Sequence, residues 1–144
     1  PQIRGEYAGV VTPTPEGIAD ALAKKERVRI VPYGDNAAYK LGLTSMQVSK
    51  LKYLTDGASR VINLSSQKKI FFNHTSEVKI FDFRNETMQM ISAAIRTLKE
   101  EWIDSEKRRI IHQHLRTVPE EEFRKDITIP PAWVGKIILD IWND

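Results

Sequence analysis

Cysteine is absent from the 144 residues. That excludes disulfides and any zinc site built on thiolates. No apolar run approaches the ~20 residues that a membrane-spanning helix requires, so no membrane span is expected. The opening residues lack a charged stretch followed by an apolar one, and no secretory signal is expected either. A reducing, cytoplasmic home follows as the natural expectation. Pro1 stands where an initiator methionine would, so a preceding segment is expected, with residues 1–13 as a linker or the end of that segment. Glycine-rich phosphate loops are missing, which argues against nucleotide-cofactor folds. Histidine is scarce: His112 and His114 stand two apart on a predicted helix, about 200° around its axis, and cannot share a metal. His74 lies far off in the chain. No cofactor and no metal are expected.

What is present suits a globular core: 41% of residues are hydrophobic and 28% charged, an ordinary balance for a folded protein. The net charge of +3 is uneven. Residues 1–84 carry 13 Lys and Arg against 8 Asp and Glu, while residues 85–144 carry 9 against 11. A basic front half can attract nucleic acid or an acidic protein surface.

Thr14 is placed to cap a helix whose first position is Pro15, where a missing N–H costs nothing. Ile18, Ala19, Leu22 and Ala23 carry its apolar stripe to about Lys25. Val28 to Val31 reads as a short strand closed by Pro32. Asp35 opens a second helix through Leu41, and Gly42 ends it in the left-handed conformation. Leu51 to Thr55 and Arg60 to Leu64 read as a hairpin around Asp56-Gly57. Ser65-Ser66-Gln67 is a second turn before Lys69 to Asn73. Val78 to Asp82 is a candidate fourth strand of the meander.

After Arg84 the period becomes helical. Asn85 caps a helix from about Glu86 to Glu101, followed by one from about Asp104 to Leu115. A short turn spans Pro119 to Lys125. A last helix opens at Pro130-Pro131, with Val134, Ile137, Ile138 and Ile141 on one face. The fold class predicted is α+β: an antiparallel meander sheet of three to five strands, with an N-terminal helix and a helical C-terminal third packed on one sheet face. Residues 14–144 form one domain, divisible into a sheet part, 14–84, and a helical part, 85–144.

No catalytic constellation stands out. Glu120-Glu121-Glu122 suits a helix N-terminus, and no serine, histidine and acid follow a nucleophile pattern. Asp35 and Asp56 are the best acids an enzyme reading would have. Lys107, Arg108 and Arg109 could meet phosphates, although interleaved acids favour a salt-bridged face. Phe71, Phe72, Phe81 and Phe83 could stack bases, but adjacent Phe71 and Phe72 point to opposite sheet faces, which places one of them in the core. Two polar turns remain as recognition candidates: Tyr33, Gly34 and Asp35, and then Thr55, Asp56, Ser59 and Arg60. Such residues commonly satisfy local backbone groups, while an arginine beside a turn can hold a carboxylate or phosphate bidentately.

Ile18 to Ala23, Arg29-Ile30-Val31-Pro32-Tyr33-Gly34, Leu41-Gly42-Leu43-Thr44 with Gln47, and Tyr53-Leu54-Thr55-Asp56-Gly57-Ala58-Ser59-Arg60 together resemble the AbiEi-like antitoxins of type IV toxin–antitoxin systems. The likeness covers residues 13–64, with Pro131-Ala132-Trp133 resembling a further element in the helical tail. Tyr33 stands where that family has serine, and Ala58 where it has proline. The resemblance implies a non-catalytic, cytoplasmic regulator body opposing a nucleotidyltransferase-like toxin. It also implies a winged helix-turn-helix ahead of this chain to bind operator DNA, and it adds Gln47 to the recognition residues. The alternative is a nucleic-acid-binding module using the basic N-terminal half.

Overall fold

The computed structural model describes residues 14–45, 50–65 and 68–144. Helix α1 covers Pro15–Glu26, strand β1 Ile30–Pro32, helix α2 Gly34–Leu41 and strand β2 Leu51–Thr55. Strand β3 follows at Arg60–Asn63 and strand β4 at Lys69–His74. The rest is helical: α3 at Glu86–Leu98, α4 at Ser105–Leu115, α5 at Glu120–Asp126 and α6 at Ala132–Trp142. The fold is α+β.

Local chemistry sets most of these boundaries. Thr14 Oγ1 accepts from the Gly17 N–H at 3.0 Å, with Pro15 in the first turn. Gly42, at φ 83°, closes α2 in the left-handed region. Asn85 and Asp104 each accept a backbone N–H from the first turn of the helix they precede. Helix α3 is shorter than the periodicity predicts. It ends at Leu98 because Lys99 turns to φ 70°, and Glu100–Trp102 continues as a 3-10 turn.

The sheet order is β1-β2-β4-β3, and it corrects the expected antiparallel meander. Strands β2 and β4 run parallel, from Leu51 opposite Ile70 to Thr55 opposite His74. The other two pairings are antiparallel. No β2–β3 hairpin closes at Asp56-Gly57, because the groups such a turn needs are engaged elsewhere. The Asp56 carboxylate holds Arg29, and the Gly57 N–H donates to Thr55 Oγ1 at 3.0 Å. Residues 56–59 instead arch over the end of β4. The central place goes to the strand with Ile70 and Phe72 buried, while β3, exposed at Arg60, Val61 and Asn63, takes the edge. A polar edge strand is also less prone to pair with another chain.

The candidate fourth strand is a 3-10 turn, Val78–Phe81. Thr75 Oγ1 accepts from the Glu77 N–H at 3.1 Å and bends the chain away from the sheet directly after β4.

Two apolar clusters hold the fold. The first packs α1 on one sheet face through Ala19, Tyr53, Ile70 and Phe72. Tyr53 stacks on Phe72 at 5.8 Å between ring centroids. The second gathers α2, α3, α4, α5 and α6 around Met88, Ile91, Ile95, Ile111 and Ile138. Because neighbouring strand residues alternate faces, Ile30 joins α1 while Val31 faces α3. The helices therefore lie on both faces of the sheet, not on one as expected. Helix α2 belongs to the helical cluster although it precedes residue 84.

A carboxylate that the sequence pattern does not flag ties α5 to the start of α3. Asp126, fully buried, accepts the Arg84 N–H at 2.8 Å and the Asn85 N–H at 2.9 Å. Asn85 Nδ2 in turn donates to Glu122 at 2.8 Å.

The closest backbone approach is at Gly34, where a Cβ would collide with Thr97 Oγ1 and the Ala93 carbonyl oxygen. Gly42 has only open space around a Cβ. Gly34→Ala is expected to lower stability by about 2 kcal/mol or more, through a clash with backbone that cannot move alone. Gly42→Ala is expected to cost about 1 kcal/mol through φ alone. Urea unfolding midpoints of the two variants measure the difference; equal midpoints would remove the close-packing explanation.

Candidate recognition cleft and polar loops

Tyr33 leaves β1 and precedes the first turn of α2. Its N–H donates to the Lys52 carbonyl at 3.0 Å, so the turn stays pinned to β2. Its hydroxyl accepts from Asn73 Nδ2 at 2.7 Å, and the Lys52 ammonium sits 5.6 Å from its ring centroid. A serine at this position could not span that distance to β4. Asp35 Oδ1 accepts from the Asn36 N–H at 2.8 Å. The buried Asn36 side chain completes the strand edge: Oδ1 accepts from the Lys52 N–H at 3.0 Å and Nδ2 donates to the Lys50 carbonyl at 3.3 Å.

This turn forms one end of a cleft of about 190 Å3 between the sheet and α3. Val31, Pro32 and Leu54 make its floor, and Ile80 and Phe83 one wall. The other wall is the second face of α3. Met88, Ile91 and Ile95 point into the helical cluster, which leaves Gln89, Ser92, Ala93 and Arg96 toward the sheet. Gln89 is 7% exposed and Ser92 5% exposed. Neither the Gln89 carboxamide nor the Ser92 hydroxyl has a hydrogen-bond partner among the described residues. Each such buried group costs about 1–3 kcal/mol when left unsatisfied. At the rim, Arg96 grips Glu77 through two nitrogens, at 2.7 and 3.3 Å.

The second polar turn lies toward the opposite end of β2. Thr55 is buried, and its hydroxyl serves the turn itself. Asp56 accepts the Arg29 N–H at 2.8 Å and Arg29 Nε at 2.9 Å. These bonds hold its carboxyl below the ordinary 3.8, the backbone bond contributing most. Gly57 packs so close to β1 that a Cβ would lie 2.6 Å from Val28 Cγ1. Ser59 Oγ accepts from the His74 N–H, and His74 Nδ1 bonds the Gly57 carbonyl, both at 2.8 Å. Arg60 pairs with Glu26 at the end of α1. The structure thus does not bring the two turns into one site. Gln47 lies outside the described residues.

Lys107, Arg108 and Arg109 are consumed by acids. Lys107 meets Asp104 at 3.4 Å, Arg108 meets Asp140 at 3.0 Å and Asp144 at 3.1 Å, and Arg109 pairs with Glu106. This is the salt-bridged face that the interleaved acids favour. Glu120, Glu121 and Glu122 stand in the first turn of α5, the helix-start placement expected of them, and Glu120 also pairs with Arg124 at 2.5 Å. His114 Nε2 bonds the Leu41 carbonyl at 2.7 Å, helping to close the end of α2. Among the described residues no three His, Asp or Glu side chains are grouped to hold a metal. Phe72 is core, as alternation requires, while Phe71 is half-buried on the other face beneath Lys50. Phe81 lies 5.2 Å from the Arg29 guanidinium, and Phe83 packs against the helical cluster.

Sequence reasoning missed the cleft. Its signal was present: Gln89 and Ser92 interrupt a helix whose buried positions are otherwise apolar. Their convergence with Val31 and Leu54 depends on a packing geometry that spacing does not encode.

An α+β fold with paired surface charges and a polar-walled cleft defines a class of architecture and no single activity. The chain belongs to the family described as "Family of unknown function (DUF6088)", whose pattern matches residues 1–123. No curated protein and no solved structure matches it. Among the described residues no helix is long and apolar enough to cross a membrane.

The Asp56–Arg29 contact makes a pH prediction. A carboxyl that ionises below its ordinary 3.8 in the fold stabilises fully above that value, and the stabilisation is lost as pH falls through the lower folded-state value. Asp56→Asn is expected to be about 1 kcal/mol less stable at pH 7. Its deficit should shrink once the pH drops below 3.8. Thermal melts of both proteins across that window measure it, and a deficit that grows on acidification would contradict the assignment.

Proposed function

We propose that this chain is the non-catalytic body of a bacterial antitoxin and transcriptional regulator of the AbiEi-like kind. It works in the cytoplasm and opposes a nucleotidyltransferase-like toxin, while a winged helix preceding it contacts DNA. One observation carries this reading: the separate stretches of sequence that carry the resemblance meet in space. Arg29, from the first strand motif, binds Asp56 of the loop motif at 2.9 Å. Tyr33 hydrogen-bonds β2, and Arg60 reaches back to the end of α1. Such mutual support is what a motif set has when it specifies one scaffold. A binding role also fits acids that are engaged by arginines and backbone N–H groups, since a general acid or base must be within reach of a substrate proton.

A second reading has its own support. Lys50 lies 5.7 Å from the Phe71 ring and Lys52 5.6 Å from the Tyr33 ring, on the sheet face turned away from α1. Lys69 stands beside them on β4, and no carboxylate pairs with any of the three among the described residues. Cations interleaved with aromatic rings suit single-stranded nucleic acid. With three lysines, that reading requires affinity to fall about 20-fold between roughly 50 and 200 mM salt.

The full protein, co-expressed with the nucleotidyltransferase-like product of a neighbouring reading frame, is expected to restore growth that the toxin arrests. Arg29→Ala combined with Asp56→Ala should weaken protection while the protein remains folded by circular dichroism. Unrelieved arrest would refute the antitoxin reading, and protection untouched by the double variant would refute a role for the Arg29–Asp56 contact in it.

A further inference from the structure

The buried polar groups of the cleft have no role in the scaffold. Tyr33, Asn36, Asp56 and Asp126 each close a hydrogen bond that holds two elements together. Among the described residues Gln89 and Ser92 close none, yet both lie on the wall of the cleft between α3 and the sheet. Buried polar groups in folded proteins are nearly always paired, and an exception calls for an occupant or a function.

We infer that this cleft is a binding site for a small, neutral ring bearing an adjacent N–H donor and C=O acceptor, the edge of a lactam or nucleobase. The Gln89 carboxamide offers a donor and an acceptor side by side, and it pairs most fully with a group that offers the reverse. The Ser92 hydroxyl lies one turn further along the same helix face and can give or take a third bond. Val31, Pro32, Leu54 and Ile80 supply flat apolar surface for the ring. The volume limits its size: about 190 Å3 is below the roughly 300–1,000 Å3 of sites for drug-sized ligands, so a single ring fits and a dinucleotide does not. No cationic or anionic side chain is left unpaired in the wall, since Arg96 and Glu77 satisfy each other at the rim. A neutral ligand follows from that balance.

The probes are uracil, a nucleobase, and 2-pyrrolidinone, an aliphatic lactam, titrated into the isotope-labelled full chain. The side-chain NH2 resonances of Gln89 are the readout. A saturable shift is expected with a Kd of order 1 mM. Gln89→Leu, which keeps the bulk and removes both polar atoms, should retain the fold and weaken binding about tenfold, read from the backbone amides of Val31 and Leu54 in the cleft lining. Ser92→Ala, read from the Gln89 resonances, provides the second variant should Gln89→Leu fail to fold, and it too should weaken binding. Tighter binding of uracil assigns the site to flat nucleobases, and equal binding assigns it to the lactam edge alone; both uphold the inference. No shift from either probe, or affinity unchanged in the variants, overturns it. A crystal structure with tightly held waters on Gln89 and Ser92 that uracil does not displace also overturns it.

Discussion

The rest of the structure depends on the junction at Gly34 and Asn36. Gly34 lets the start of α2 lie against the α3 backbone, and Asn36 ties the same turn to the Lys50 and Lys52 backbone groups of β2. These four residues, Tyr33 to Asn36, therefore connect the two apolar clusters. Without a side chain at Gly34, α2 and α3 can share one core. Without the Asn36 carboxamide, the edge of β2 would lose both of its bonds to α2. The cleft exists because this junction fixes how far α3 stands from the sheet.

The second turn does similar work at the other end of β2. Its loop must carry the chain over the end of β4, and a crossing loop brings backbone polar groups close to the sheet, where they need partners. His74 and Ser59 supply those partners, and Asp56 anchors the loop to the chain leading into β1. The side chains of the two polar turns are thus largely committed to architecture. They hold in place a shaped surface that includes the lysines above Phe71 and Tyr33. The charge pairs on the helix surfaces add little stability individually.

Much of this was legible in the sequence. Helix starts at Thr14, Asn85 and Asp104, the stop at Gly42, and the shift to helical periodicity after Arg84 rest on local chemistry that acts within a few residues. The strand segments were legible for the same reason. Their order was not, because Asp56-Gly57 is a strong local hairpin signal and what overrides it is distant. Arg29, 27 residues away, captures the aspartate, and β4 competes for the central place with a more apolar face. Val78 to Phe81 looked like a strand from its residue types, while the Thr75 turn that bends it away is a side-chain effect. For the candidate site, the residues of both turns were legible as recognition candidates, but their burial and their distance from each other follow from tertiary packing. Asp126 carried no pattern at all, and Gln89 only the interruption of an apolar helix face, since one polar residue on a helix is ordinary until its neighbours are known.

The central claim is that the junction at Gly34 and Asn36 joins sheet and helices into one cooperative unit. Native-state amide hydrogen exchange on Asn36→Ala tests it most directly, because exchange reads the stability of each element separately. Protection should fall together in β2 and in α3, whose amides are far apart in sequence. A loss confined to β2, with α3 protected as before, would contradict the account.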